Sequence, residues 1–166
     1  QKPYFYSSDI RRLHRAKLSP YQKKFYAKLY RLRVVEQKRF VVGGAKYAED
    51  LKRFHQLQDE YLLIVNNDIK SVVDLVDFIS EKEDRIQQIE DRQKEIYRES
   101  SSRKRSIKNE EQYREYQIWH MEVQEELDEL KQEKRNVKRQ IQLADDIIKE
   151  DLYTAYYAVS YTHLRA

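Results

Sequence analysis

The residues able to do chemistry are few and scattered. The four histidines, His14, His55, His120 and His163, never stand four apart or in a His-x-His pair, so no two imidazoles are aimed at one ion by local spacing. Cysteine is absent, which removes thiolate ligands, thiol nucleophiles and disulfides together. The only glycines, Gly43 and Gly44, are adjacent and cannot form a phosphate-cradling loop. Ser100, Ser101 and Ser102 lie in a charged stretch rather than on a nucleophile elbow. This pattern predicts no catalytic residue, no metal site and no cofactor, and it offers nothing that would hold a small-molecule ligand.

A different chemistry is available near the N-terminus. Residues 1–42 hold twelve lysines and arginines against Asp9 and Glu36, a surplus of ten, whereas the remainder carries a deficit of six. Eight of the twenty aromatic residues share that first quarter. Cations neutralise phosphates and tyrosines stack on bases, so the mixture suits a nucleic acid. The expected DNA-binding residues are Arg11, Arg12, Arg15, Lys23, Lys24, Lys28, Arg31 and Arg33. Tyr21, Phe25 and Leu29 fall on one helical stripe and read as packing, which turns the neighbouring cations towards a ligand.

The elements that would position these residues are helical throughout. With 37% charged residues, two prolines and a mean hydropathy of -0.99, apolar side chains are too dispersed for a thick layered core, and no stretch is long and apolar enough for a membrane span. The expected class is all-α, an elongated helical fragment with a long antiparallel coiled-coil hairpin, in the cytoplasm. Ser19-Pro20 starts a first helix, which the apolar spacing carries to about Gln37 within a basic segment over 1–42. A second helix and its turn occupy 43–70, with Asn66, Asn67 and Asp68 as the stop.

Residues 71–158 carry the hairpin. Ser71 with Asp74 resembles a capping box, and Val72, Leu75, Ile79, Lys82, Ile86, Ile89, Gln93 and Ile96 then alternate three and four apart, the spacing of a heptad seam. Asn109 with Gln112 offers a second cap, after which the seam resumes at Tyr113 and runs to Ile148, the helix being expected to reach about residue 152. With residues 100–108 as a connection, the two seams fold back on each other. Pairing Ile96 with Tyr113 sets Ile89 opposite His120, Ile86 opposite Val123 and Ile79 opposite Leu130. The flanking positions then bring Arg85 to Glu126 and Arg92 to Trp119.

Residues 25–32, FYAKLYRL, followed by KYAEDLKRFHQLQDEYLLIVNNDIKSVVDLVDFI over 46–79, resemble the segment that follows the nuclease domain in relaxases of mobilisable and conjugative elements. The resemblance implies that the metal-binding histidines and the DNA-nicking tyrosine of such a protein lie upstream of Gln1. It implies that the basic quarter sits near transfer-origin DNA and that the remainder contacts other conjugation or mobilisation proteins. The alternative reading is a structural coiled-coil module that binds protein and has no link to DNA. Residues 159–166, VSYTHLRA, resemble the translation of a sequencing adapter of metagenomic libraries, and are expected to contribute no packing.

Overall fold

The computed structural model describes the backbone of residues 17–42 and 45–165, and side chains over 17–31 and 48–159. Four helices follow one another: α1 Pro20–Val42, α2 Ala45–Asn66, α3 Val72–Arg105 and α4 Glu110–Arg165. No strand occurs among the described residues, and no helix among them is long and apolar enough to cross a membrane. The chain divides into two units, one formed by Gln1–Asp77 with Leu143–Ala166, the other by Phe78–Gln142.

Local chemistry sets the helix ends. At α1, Gln22 N donates to Ser19 Oγ at 3.3 Å while Ser19 N donates to Gln22 Oε1 at 2.9 Å, a reciprocal box that satisfies two amides no helical carbonyl can reach. α2 stops where Asp68 takes φ 50°, with Ile69 N bonded to Ile64 O at 2.8 Å and Asp68 N to Val65 O at 3.2 Å. This is a Schellman closure with an acidic residue at the left-handed position usually held by glycine. The expected caps of the hairpin helices are both formed: Asp74 N donates to Ser71 Oγ at 3.2 Å, and Gln112 N to Asn109 Oδ1 at 2.8 Å.

In the first unit the buried apolar residues are Leu18, Phe25 and Leu29, then Phe54, Leu57, Tyr61, Leu63 and Ile64 of α2, then Ile69, Leu75, Ala144 and Ile147. Phe25 and Leu29 are the expected α1 stripe. α1 runs five residues beyond the expected end at Gln37.

The second unit is the hairpin, antiparallel as expected, but in another register. Arg85 holds Glu133 through Nη2–Oε2 at 2.7 Å and Nε–Oε1 at 3.1 Å, and Arg92 holds Glu126 in the same two-pronged way at 2.9 and 3.2 Å. Each arginine therefore meets a residue seven positions further along α4 than the seam alignment predicts. Ser100 Oγ lies 3.2 Å from Tyr116 Oη, in the layer that this register dictates. Trp119 takes its cation from Arg103, 4.5 Å from the ring centroid, and not from Arg92. Ile96, Val123 and Leu127 form the buried cluster nearest the tip, flanked by Trp119 and Leu130.

The cause lies at the tip. Residues 100–105, expected as part of the connection, continue α3, leaving only 106–109 between the helices. Arg103 braces this extension through Glu99 at 3.0 Å, one turn back, as well as through Trp119. Moving the centre of the turn by about half a heptad moves the pairing by a whole one, because each strand of the hairpin is displaced. α4 likewise continues past residue 152 to Arg165, and Val159 is exposed.

Candidate nucleic-acid interface

The eight cations expected to meet phosphate have different fates. Arg11, Arg12 and Arg15 lie outside the described residues, and Arg33 lies on α1 with its side chain outside them. Lys23 and Arg31 are exposed on α1, eight residues apart, and form no ion pair among the described residues. Lys24 and Lys28, by contrast, are engaged within the first unit. Lys24 Nζ pairs with Asp151 of α4, and Lys28 Nζ reaches Glu150 Oε1 at 3.3 Å. The two ammonium groups also flank the buried Phe25 ring, each 5.5 Å from its centroid.

Asp151 is the better enclosed carboxylate of the pair, its side chain only 12% exposed. Besides Lys24 it accepts a hydrogen bond from Tyr21 Oη at 2.6 Å. Burial first, and then this carboxylate, holds the Tyr21 phenol well above its ordinary value, so Tyr21 remains a donor over the physiological range. Glu150 is held from a second side by Arg53 at 3.7 Å. One end of α4 is thus fastened to α1 and α2 by two acidic residues and three cations.

Behind these pairs lies Glu60, 1% exposed. Its Oε1 accepts a long 3.4 Å bond from Gln56, and its Oε2 has no hydrogen-bond partner among the described residues. Burial raises its carboxyl above the ordinary value and the negative charge of Glu150 raises it further, against the opposing pull of Arg53, Lys28 and the Gln56 bond. Next to it, burial and the neighbouring Tyr26 push the Tyr61 phenol up to about 12.

Glu60, Glu150 and Asp151 were not expected from the sequence as partners of the basic helix. Lys24 and Asp151 are separated by 127 residues and Lys28 and Glu150 by 122, distances at which no local pattern speaks. Glu60 did leave a signal. It falls on the stripe made by Leu57, Tyr61 and Ile64, where a carboxylate is out of place.

No group of three His, Cys, Asp or Glu side chains able to hold a metal occurs among the described residues, and His55 and His120 belong to different units. An open groove of about 470 Å³ on the hairpin is lined by Arg85, Glu126, Glu129, Leu130 and Glu133, with Leu130 its single apolar wall, unlike the apolar clefts that enclose small molecules. In comparisons with known proteins, no family model, no curated protein and no solved structure matches this chain.

Proposed function

We propose that this chain is a non-catalytic, DNA-proximal scaffold region of a relaxase from a mobilisable or conjugative element, working in the cytoplasm. The observation that carries the DNA contact is the two-sidedness of α1: Phe25 and Leu29 are buried while Lys23 and Arg31 stand exposed on a segment with a surplus of ten positive charges. Backbone phosphates are the natural partner of such a face, and the expected binding is electrostatic with little base preference. The hairpin supplies the scaffold, a pair of long helices with charged outer surfaces suited to other transfer proteins.

The engagement of Lys24 and Lys28 by Glu150 and Asp151 favours a second reading, a protein-binding helical module without DNA, because it withdraws two cations from any phosphate. A salt series of fluorescence anisotropy titrations with single-stranded DNA separates the two. If about five phosphates are engaged, the log-log slope is near about -3.5, at roughly -0.7 per phosphate. Changing Lys23 and Arg31 together to Ala should flatten that slope by about 1.4, on the same scale. Changing Arg103, Lys104 and Arg105 should matter less. No binding at about 50 mM salt, where such contacts are strong, or binding lost through the tip change alone, would overturn the DNA contact and leave the protein-binding module.

A further inference from the structure

Near the end of α4 the large apolar side chains stand in solvent. Every residue from 152 to 159 is exposed, among them Leu152 at 63%, Tyr153 at 61%, Tyr156 at 69% and Tyr157 at 55%. Residues 152–158 carry no charge, in a chain of which 37% is charged. Apolar side chains this large and this close together on one helix mark a surface that another element covers.

The packing of α4 in its own unit lies on the other side of the helix. At about 100° per residue, Ala144, Ile147 and Asp151 share one stripe. That stripe is the one held in the first unit, with Ala144 and Ile147 buried and Asp151 bound by Tyr21 and Lys24. Thr154, Ala155 and Ala158 continue it with small side chains. Leu152, Tyr153, Tyr156 and Tyr157 fall on the opposite stripe, just beyond the Asp145–Lys149 pair, whose 2.8 Å contact gives the patch a polar edge. The rings are ordered among themselves: the centroids of Tyr153 and Tyr157 lie 4.6 Å apart, those of Tyr156 and Tyr157 6.0 Å apart, and Tyr153 Oη donates to Tyr157 Oη at 2.9 Å.

The chemistry of this face selects its occupant. An acidic or basic partner finds no counter-charge between residues 152 and 158. A two-fold interface sets the same patch against itself, which a charged face resists and a face of rings and phenols accepts, because a phenol both donates and accepts, as the Tyr153–Tyr157 bond shows. Four such side chains on each of two copies, each a little over half exposed, offer roughly 700–1,200 Å² for burial, the size of a weak, reversible association. We propose that this face of α4 is a homodimer interface, at which two copies of the chain cross about Tyr156 and bury Leu152, Tyr153 and Tyr157 around it. The pairing is independent of any contact between α1 and DNA.

Sedimentation velocity on the full chain should give the 20.4 kDa monomer at about 1 µM and a species of twice that mass by about 100 µM, the range expected of so small an interface. Replacing Tyr153 and Tyr156 together by Lys, a good helix former, should weaken association at least about tenfold, with the far-ultraviolet spectrum unchanged. Tyr97→Lys, at another exposed tyrosine, should leave association as it is. Because the chain has no cysteine, Tyr156→Cys can form a disulfide only between copies; it should do so under a mild oxidant, whereas Ala155→Cys on the other stripe should not. A monomer throughout that concentration range, or a dimer that survives the double lysine change, would overturn the proposal. So would a monomer in which Tyr156→Cys resists thiol reagents, which would show the face covered by other residues of the same chain.

Discussion

The two units are held by opposite strategies. The hairpin repeats one solution, an apolar seam flanked by surface arginine–glutamate pairs. The other unit uses each contact once: Tyr21 and Lys24 on Asp151, Lys28 and Arg53 on Glu150, Gln22 on Asp68 at 3.3 Å, with Glu60 enclosed behind them. Repetition yields a long element from little information and leaves its register to be set at the tip, by the end of α3. Unique contacts between distant residues specify one arrangement, at the cost of burying a carboxyl whose Oε2 finds no donor among the described residues.

The largest expected effects break the cores. Phe54→Ala removes a fully buried ring from the unit of unique contacts and should cost about 3–5 kcal/mol, read by urea unfolding in the far ultraviolet. Ile96→Ala in the hairpin should cost about 2–4 kcal/mol, visible in the fluorescence of Trp119, which packs on the same cluster. If Ile96→Ala proved nearly silent while Phe54→Ala behaved as expected, the seam would be less specific than described.

Next in size is Glu60. Its folded carboxyl lies above the ordinary 4.5, so between that value and the raised one the folded state holds more protons than the unfolded state. Stability from this group is therefore greatest below that window and falls as pH rises through it. Glu60→Gln should flatten that part of the curve of melting temperature against pH and stabilise the protein by about 1 kcal/mol near pH 8, since the amide needs no ionised form in the interior. Equal pH profiles for the two proteins would show that Glu60 has found a partner in solution. The smallest effect belongs to the hairpin pairs: Arg85→Ala should cost no more than about 0.5–1 kcal/mol, and high salt should erase most of the difference.

What could be read in advance follows the same division. The caps at Ser71 and Asn109, the stop at Asp68 and the seams themselves are local, because each rests on residues within about one or two turns of each other. The hairpin's register was not legible, because heptads carry no mark of which heptad they are. The end of α3 decides it, and three serines read as a linker until Arg103 is seen fixed to Glu99 and Trp119. The exposed cations of α1 were legible as charge. Their division into Lys23 and Arg31, which are free of ion pairs among the described residues, and Lys24 and Lys28, which are engaged, depends on acids more than a hundred residues away.

That separation also fixes an order of assembly. The hairpin's contacts begin 16 residues apart, at Ser100 and Tyr116, and can close from the tip outwards with little loop entropy to overcome. Tyr21 and Lys24 cannot meet Asp151 until some 130 residues more have left the ribosome. During synthesis Lys24 and Lys28 therefore emerge before their acidic partners, and α1 carries two more unpaired cations on the nascent chain than in the folded unit, until Glu150 and Asp151 arrive.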